Sequence, residues 1–184
     1  VVLTRSEDIR DVEKLQEIMR VYHPTIMQAT PSLWRILLEG GWQGDIDLKI
    51  LSGGEALSKD LRDNLIKQSR SVWNLYGPTE TTIWSTVKRQ DASQDQISIG
   101  KGIANTQLYI VNETLGLVPS GVSGEICIGG AGLAVGYLNR PELTAEKFIP
   151  HPFIEGERLY RTGDLGRWVG GEIECQGRAD DQVK

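Results

Sequence analysis

Residues 79–82 place three threonine hydroxyls and one carboxylate directly after a short apolar segment at residues 72–75. Between them, Gly77 and Pro78 mark a turn. Ligands of α/β sheets bind at the carboxyl ends of the strands, and Mg²⁺ takes one or two protein carboxylates together with substrate phosphates. These residues therefore suit a ligand that carries phosphate and magnesium, with Glu80 as the carboxylate. The alternative is a polar turn that caps the next segment.

Two other stretches hold residues that could contact a ligand. Asp164 directly follows a glycine turn at Gly163, where its carboxylate could accept both hydrogens of a ribose diol or close an Asx-turn. Gly53 and Gly54 follow an apolar segment at residues 48–51, and a glycine pair allows either a close backbone approach to a ligand or a tight turn. From the residues alone, both interpretations of each stretch stay open.

The remaining marked stretches favour structural roles. Residues 124–138 are rich in glycine, but their spacing differs from the phosphate-binding Gly-x-Gly-x-x-Gly turn, so we predict a hairpin with bulges. Residues 177–184 carry several charges and are typical of a solvated loop. The sequence contains no phosphate-binding Gly-x-x-x-x-Gly-Lys, His-Glu-x-x-His, Cys-x-x-Cys or Gly-x-Ser-x-Gly motif. A P-loop enzyme, a zinc hydrolase and an α/β-hydrolase therefore have no support.

The composition indicates a globular protein without a nucleic-acid or membrane partner. The 184 residues are 39% apolar and carry a net charge of -5, which argues against a broad surface for nucleic acid or anionic membranes. No apolar run approaches the roughly 20 residues of a membrane span. The two cysteines lack metal-ligand spacing, and the two histidines lie far apart. We therefore predict a reducing, cytoplasmic location.

Helices and strands alternate in the first half of the sequence. Apolar residues recur at three and four positions over residues 9–22, which predicts an amphipathic helix. Thr30 before Pro31 predicts the start of a second helix, and Ser58 predicts the start of a third. Strands are predicted at residues 25–29, 48–51 and 72–75. This alternation predicts an α/β fold, a parallel sheet with crossover helices.

The pattern changes after about residue 90, where short strand-like runs are separated by glycine. Strands are predicted at residues 107–111, 124–128, 159–160 and 172–175, and a helix at residues 141–148. We therefore divide the chain into residues 1–95, part of an α/β sheet subdomain, and residues 96–184, a β-rich subdomain with the form of a distorted barrel.

Four of these stretches, in this order, resemble the amino-acid adenylation domains of nonribosomal peptide synthetases, members of the adenylate-forming enzyme superfamily. The four are residues 76–80 (Tyr-Gly-Pro-Thr-Glu), 124–138, 160–165 (Tyr-Arg-Thr-Gly-Asp-Leu) and 177–184. Residues 103–107 and 137–144 are also similar, so the resemblance covers nearly the whole chain. It implies part of the large N-terminal subdomain of the adenylate-forming fold.

The resemblance also implies a reaction, that of an ATP-dependent ligase. With ATP and Mg²⁺, an amino-acid carboxylate attacks the α-phosphate and gives aminoacyl-adenylate and pyrophosphate. The acyl group then passes to the phosphopantetheine thiol of a peptidyl carrier domain. That carrier domain and a condensation domain of the same synthetase, an enzyme of secondary metabolism, are the implied partners. Catalysis of this kind consists mostly of positioning and electrostatic stabilisation.

The family's pattern implies roles for residues near the Tyr-Gly-Pro-Thr-Glu motif. Asn74 would meet the amino group of adenine, and Tyr76 would lie against the adenine ring. Thr79 would hydrogen-bond the α-phosphate and Glu80 would hold Mg²⁺, which makes these two the implied catalytic residues. Gly77 is a further implied nucleotide-binding position.

The same pattern implies roles elsewhere in the chain. Asp164 would accept the ribose hydroxyls with Arg178 close by, and Gly54 would also lie at the nucleotide. Asp180 matches the hinge to a small C-terminal subdomain. Six positions match the family's substrate pocket: Gln28, Leu51, Gly53, Leu75, Ile83 and Trp84.

None of the six pocket positions is charged, so a charged substrate side chain would lie buried and unpaired at high cost. Trp84 is large enough to fill the side-chain space, and the combination is similar to the family's glycine-selecting pattern. We therefore predict glycine as the substrate. The alternative is that Trp84 is a core residue.

The sequence also departs from the family. Val135 stands where arginine is usual, and Cys175 stands where an aromatic residue near the nucleotide is common. The family's phosphate loop, the aspartate that binds the substrate amino group and the catalytic lysine are not among these residues. We therefore expect a piece of a larger enzyme that is inactive alone. An acyl- or aryl-CoA ligase of the same superfamily and a non-catalytic fragment are the alternatives.

Overall fold

The computed structural model describes residues 1–179 and divides into two compact units. The first unit holds residues 1–74 and 89–97, and the second holds residues 75–88 and 98–179. The division of the chain at residues 95 and 96 into an α/β part and a β-rich part stays a prediction.

The first unit is built from helices that alternate with strands. Its elements are α1 (Ser6–Arg10), α2 (Val12–Tyr22), β1 (Ile26–Ala29), α3 (Pro31–Glu39), β2 (Asp45–Gly53), α4 (Lys59–Gln68) and β3 (Ser69–Tyr76), whose last two residues belong to the second unit. Strand β1 pairs in parallel with β2 through the crossover helix α3, and β2 lies between β1 and β3. The predicted α/β class with parallel strands and crossover helices is confirmed, although the sheet as a whole is mixed.

Side-chain caps begin two of these helices where the sequence predicted them. The Thr30 side chain accepts from the Leu33 amide at the start of α3, and Ser58 accepts from the Leu61 amide at the start of α4. The single helix predicted over residues 9–22 is wrong, because the backbone at Asp11 is extended (φ -98, ψ 107) and separates α1 from α2. The Asp11 side chain then caps α2.

An apolar core on one face of the sheet determines which side chains at the end of β2 point inward. Leu48, Ile50 and Ser52 are fully buried on this face. Because successive side chains of a strand point to opposite faces, Leu51 and Gly53 lie on the other face. The core is completed by residues from the helices and the neighbouring strand, among them Leu15, Trp34, Leu37, Leu65 and Val72.

The second unit is mainly an antiparallel sheet. After a 3-10 turn at Thr79–Thr81 its elements are β4 (Thr86–Arg89), whose last residue belongs to the first unit, β5 (Lys101–Gly102), β6 (Thr106–Val111), β7 (Gly124–Gly130), α5 (Pro141–Lys147), β8 (Phe148–Pro150), β9 (Arg158–Val169) and β10 (Glu172–Arg178). The strand order is β10-β9-β7-β6, with β8 also paired to β9. The sheet curls into a half-barrel, which confirms the predicted β-rich part.

Two interruptions bend this sheet next to Asp164. The register of β7 against β9 shifts between Glu125 and Cys127, and that of β10 against β9 shifts between Cys175 and Gly177. Such bulges bend a strand and redirect its side chains. The hairpin predicted over residues 124–138 is wrong for residues 131–138, which form a loop after β7 instead of a second strand.

Isoleucines form most of the core of the second unit. Ile110, Ile126, Ile128 and Ile173 are at most 1% exposed and pack together with Tyr76. This core holds the end of β3 against the curled sheet. Among residues 1–179, no helix is long and apolar enough to cross a membrane.

Candidate functional site

A buried hydrogen bond joins the last residue of β3 to the middle of β9. Tyr76 Oη donates to Asp164 Oδ2 over 2.7 Å, and the two residues are 9% and 3% exposed. The phenol is the donor because a carboxylate only accepts. Burial and the adjacent charge of Asp164 raise the pKa of Tyr76 well above its usual value. The site therefore holds a protonated phenol beside a carboxylate.

Asp164 is held through both its backbone and its carboxylate. Its backbone amide donates to Thr162 Oγ1 over 2.9 Å, and that hydroxyl donates to the Ile126 carbonyl over 2.7 Å. Arg178 Nη1 lies 3.4 Å from Asp164 Oδ1 and 3.3 Å from the Thr162 carbonyl. The structure therefore brings together Tyr76, Asp164 and Arg178, which the sequence predicted as separate nucleotide contacts.

A carboxylate that the sequence did not indicate fixes the bulge of β9 at Gly163, directly before Asp164. Gly163 is left-handed (φ 72), and its amide donates to Glu125 Oε1 over 3.1 Å. The other oxygen, Glu125 Oε2, accepts from Arg161 Nε at 3.0 Å and from Nη2 at 2.6 Å. Only the pairing register of β7 with β9 reveals this contact, and that register is not visible in the sequence.

The turn after β3 is sterically constrained. A Cβ at Gly77 would lie 2.5 Å from the Ile83 carbonyl oxygen and 2.6 Å from the Ser85 amide, so a side chain there would collide with backbone. Thr82 and Ile83 are left-handed, with φ 63 and φ 68. Left-handed geometry is a marked outlier for a β-branched residue, and such strain occurs often at functional sites.

The four polar side chains of this turn have different surroundings. Thr81 Oγ1 is buried and lies 2.6 Å from Ser85 Oγ. Thr82 Oγ1 donates to the Gly132 carbonyl over 2.8 Å. Thr79 is exposed and Glu80 is half-buried. Thr81 and Thr82 therefore stabilise the turn, while Thr79 and Glu80 are the two that a ligand could reach.

Glu80 already has a protein partner on one oxygen. Tyr137 Oη donates to Glu80 Oε1 over 2.5 Å, and the Ala134 amide donates to the Glu80 carbonyl over 2.8 Å. Within residues 1–179, no group of three or more His, Cys, Asp and Glu residues could hold a metal ion. A Mg²⁺ ion bound to substrate phosphates needs only one or two protein carboxylates. The half-buried carboxylate of Glu80 fits that requirement.

The predicted residues of the first unit lie at the ends of its strands. Gln28 and Leu51 are register partners on β1 and β2, so their side chains share one face of the sheet. Gly53 ends β2 on the same face as Leu51. Gly54 follows in a left-handed conformation (φ 89). Asn74 is 4% exposed on β3. Strand pairing therefore places two of the predicted pocket residues side by side.

Other predicted positions lie in the second unit or beyond the described residues. Leu75 is 8% exposed and Ile83 is 62% exposed, while Trp84 is half-buried. Cys175 packs against the cluster that contains Tyr76. Val135 is 90% exposed. The predicted hinge residue Asp180 lies outside the residues that the structure describes.

Comparisons with known proteins define the class. The model of the family described as "AMP-binding enzyme" matches residues 1–138. The chain is 44% identical to tyrocidine synthase 3 of Brevibacillus parabrevis and 46% identical to bacitracin synthase 3 of Bacillus licheniformis, in each case over its whole length. The chain belongs to the AMP-binding enzyme family, the adenylate-forming enzymes.

Similarity to a solved structure indicates which kind of adenylate-forming enzyme has this fold. A crystal structure of a four-domain nonribosomal peptide synthetase bound to AMP and glycine matches 98% of this chain with a TM-score of 0.91 and 43% identity. The fold is that of a nonribosomal peptide synthetase adenylation domain. The chain spans 14% of that structure and 3% of the length of each of the two synthases.

Proposed function

We propose that this chain contributes the nucleotide-binding part of an enzyme that activates an amino acid with ATP. The products are an aminoacyl-adenylate and pyrophosphate, and the acyl group is then loaded onto the phosphopantetheine thiol of a carrier domain. The single observation that carries the proposal is the buried contact between Tyr76 and Asp164, with Arg178 close to the same carboxylate. The family supports the use of ATP, and the multidomain relatives support carrier and condensation domains as partners.

Each member of this cluster suits one part of a nucleotide. The Tyr76 ring is an aromatic surface against which adenine can stack, and the Asp164 carboxylate can accept hydrogen bonds from ribose hydroxyls. Thr79 and Glu80 lie on the same turn, where a hydroxyl can donate to the α-phosphate and a carboxylate can hold Mg²⁺. The ion would supply charge stabilisation at the phosphates. The chain's own residues orient the reacting groups.

Glycine is the substrate that we propose for this enzyme. The six positions assigned to the pocket carry no charge, and Trp84 is the largest side chain among them. An indole in that position would leave no room for a methyl group. The similar synthetase whose structure contains AMP and glycine offers independent support. The proposed cytoplasmic location rests on the sequence, whose two cysteines lack metal-ligand spacing.

Amino-acid-dependent exchange of pyrophosphate into ATP tests the proposal in the complete polypeptide that carries this chain. We expect exchange with glycine alone among the twenty common amino acids. The Trp84→Ala variant should accept alanine as well, because removing the indole makes room for one methyl group, a difference worth about 10- to 200-fold in specificity.

Each other outcome would contradict a different part of the proposal. Exchange with a bulky amino acid would keep the reaction class and contradict the role of Trp84. No exchange with any amino acid, together with activity toward a carboxylic acid and CoA, would replace the proposal by an acyl- or aryl-CoA ligase.

A further inference from the structure

Tyr137 holds one of the two carboxylate oxygens of Glu80. Its hydroxyl donates to Glu80 Oε1 over 2.5 Å. Tyr160 Oη lies 3.4 Å from Tyr137 Oη. Because Tyr137 gives its proton to the carboxylate, its oxygen is the one that accepts from Tyr160. The hydrogen bond from Tyr137 orients the carboxylate through Oε1, and the Tyr160 hydroxyl also interacts with Glu80.

The backbone around Tyr137 is tied to the turn that carries Glu80. The Ala134 amide donates to the Glu80 carbonyl over 2.8 Å. The Arg158 guanidinium donates to the Ala134 and Val135 carbonyls over 3.1 and 3.0 Å. The loop before Tyr137 therefore has a fixed position relative to Glu80.

Aromatic packing fixes the ring of Tyr137 itself. The Phe148 ring centroid lies 5.6 Å from that of Tyr137 and 5.0 Å from that of Tyr160. The Tyr137 amide donates to Thr144 Oγ1 over 2.9 Å.

We propose that Tyr137 is a positioning residue that fixes the Glu80 carboxylate so that it presents one oxygen to the metal ion of the bound nucleotide. This inference rests on the proposed function, because it assumes that Glu80 meets that ion. Groups that hydrogen-bond a metal-binding carboxylate orient it, and their loss costs about 10- to 100-fold in metal affinity or activity. Because Phe148 packs on the Tyr137 ring, the hydroxyl can be removed without removing the packing.

The test is Tyr137→Phe in the complete polypeptide. Binding of Mn²⁺ in the presence of a non-hydrolysable ATP analogue is followed by the electron paramagnetic resonance signal of free Mn²⁺. We expect the Mn²⁺ concentration for half-saturation to rise about 10-fold or more, with the affinity for the metal-free analogue unchanged. The matched control is Tyr109→Phe, which removes a phenol in the same unit from a ring packed on His151 and should change neither quantity.

A double-mutant comparison separates positioning from general damage to the fold. If Tyr137 acts through Glu80, Tyr137→Phe should have no further effect on Mn²⁺ binding in a Glu80→Gln background. An additional loss there would overturn the inference, as would an unchanged Mn²⁺ affinity in the single variant. Tyr160→Phe should have a smaller effect, and it provides the same test if Tyr137→Phe does not fold. By contrast, a wild-type polypeptide without amino-acid-dependent exchange would refute the proposed function itself.

Discussion

Replacing Glu125 by glutamine tests whether the bulge of β9 at Gly163 positions Asp164 for nucleotide binding. The change keeps the shape of the side chain and an oxygen for the Gly163 amide, but it removes the charge that pairs with Arg161 at 2.6 and 3.0 Å. A hydrogen bond to a charged group contributes about 1.5–3 kcal/mol. The Arg161 side chain is 39% exposed, so solvent screening reduces the loss to about 1–2 kcal/mol.

If the whole loss falls on the position of the bulge at Gly163, the binding of AMP weakens by about 5- to 30-fold, since 1.36 kcal/mol corresponds to a factor of ten. The matched control is Glu174→Gln. Glu174 pairs with Arg167 at 2.9 and 3.0 Å, also within the curled sheet, with similar exposure. Both variants should lose similar stability, but only Glu125→Gln should bind AMP more weakly in calorimetric titrations. Equal AMP affinity in the two variants would refute the positioning role of Glu125.

Two further predictions concern other parts of the second unit. His151 Nδ1 accepts from the Phe153 and Ile154 amides, and burial lowers the pKa of this imidazole. The folded state therefore disfavours protonation, so the imidazole's contribution to stability is present above about pH 6.5 and is lost as the pH falls below it. The protection factors of the two amides against hydrogen exchange should fall there in the wild type but not in His151→Asn, and an equal fall in both proteins would contradict this. Ile83→Asn should raise the midpoint temperature of thermal unfolding, because left-handed geometry costs an isoleucine about 1–2 kcal/mol and asparagine tolerates it. An unchanged midpoint would mean that Ile83 stores no strain.

Local signals in the sequence predicted the elements of the first unit well. Thr30 and Ser58 are caps whose partners lie three residues away, so neighbouring residues alone define them. The break at Asp11 was missed because the apolar spacing continues through it, although Asp11 is itself a cap residue. One cap residue is a weaker indication of a helix boundary than an apolar periodicity that continues on both sides of it.

The length of β9 could not be predicted from local signals. The sequence indicated a strand only at residues 159–160, whereas β9 runs over Arg158–Val169. Gly163 and Gly166 interrupt its apolar pattern, and glycine has low intrinsic preference for strands. The strand exists because β7, β8 and β10 all pair with it. Those pairings are long-range and appear only in the folded chain.

Individual residues of the candidate site could be predicted from the sequence, but the contacts between them could not. Resemblance to a family pointed to Tyr76, Glu80 and Asp164 one at a time, and their roles in the reaction stay predictions. The contacts that join them to each other and to their supports span 88 residues between Tyr76 and Asp164 and 57 between Tyr137 and Glu80. No periodicity or turn signal reaches across such distances.

The register of β7 against β9 connects the fold to the site. The shift between Glu125 and Cys127 lies where Glu125 reaches both Arg161 and the Gly163 amide. Because side chains alternate along a strand, a shift of one residue would turn Glu125 to the other face and leave the Gly163 amide without its acceptor. The bulge therefore does more than bend the sheet. It brings Glu125 to the Gly163 amide directly before Asp164, which contacts Tyr76, so the geometry of the site depends on the register.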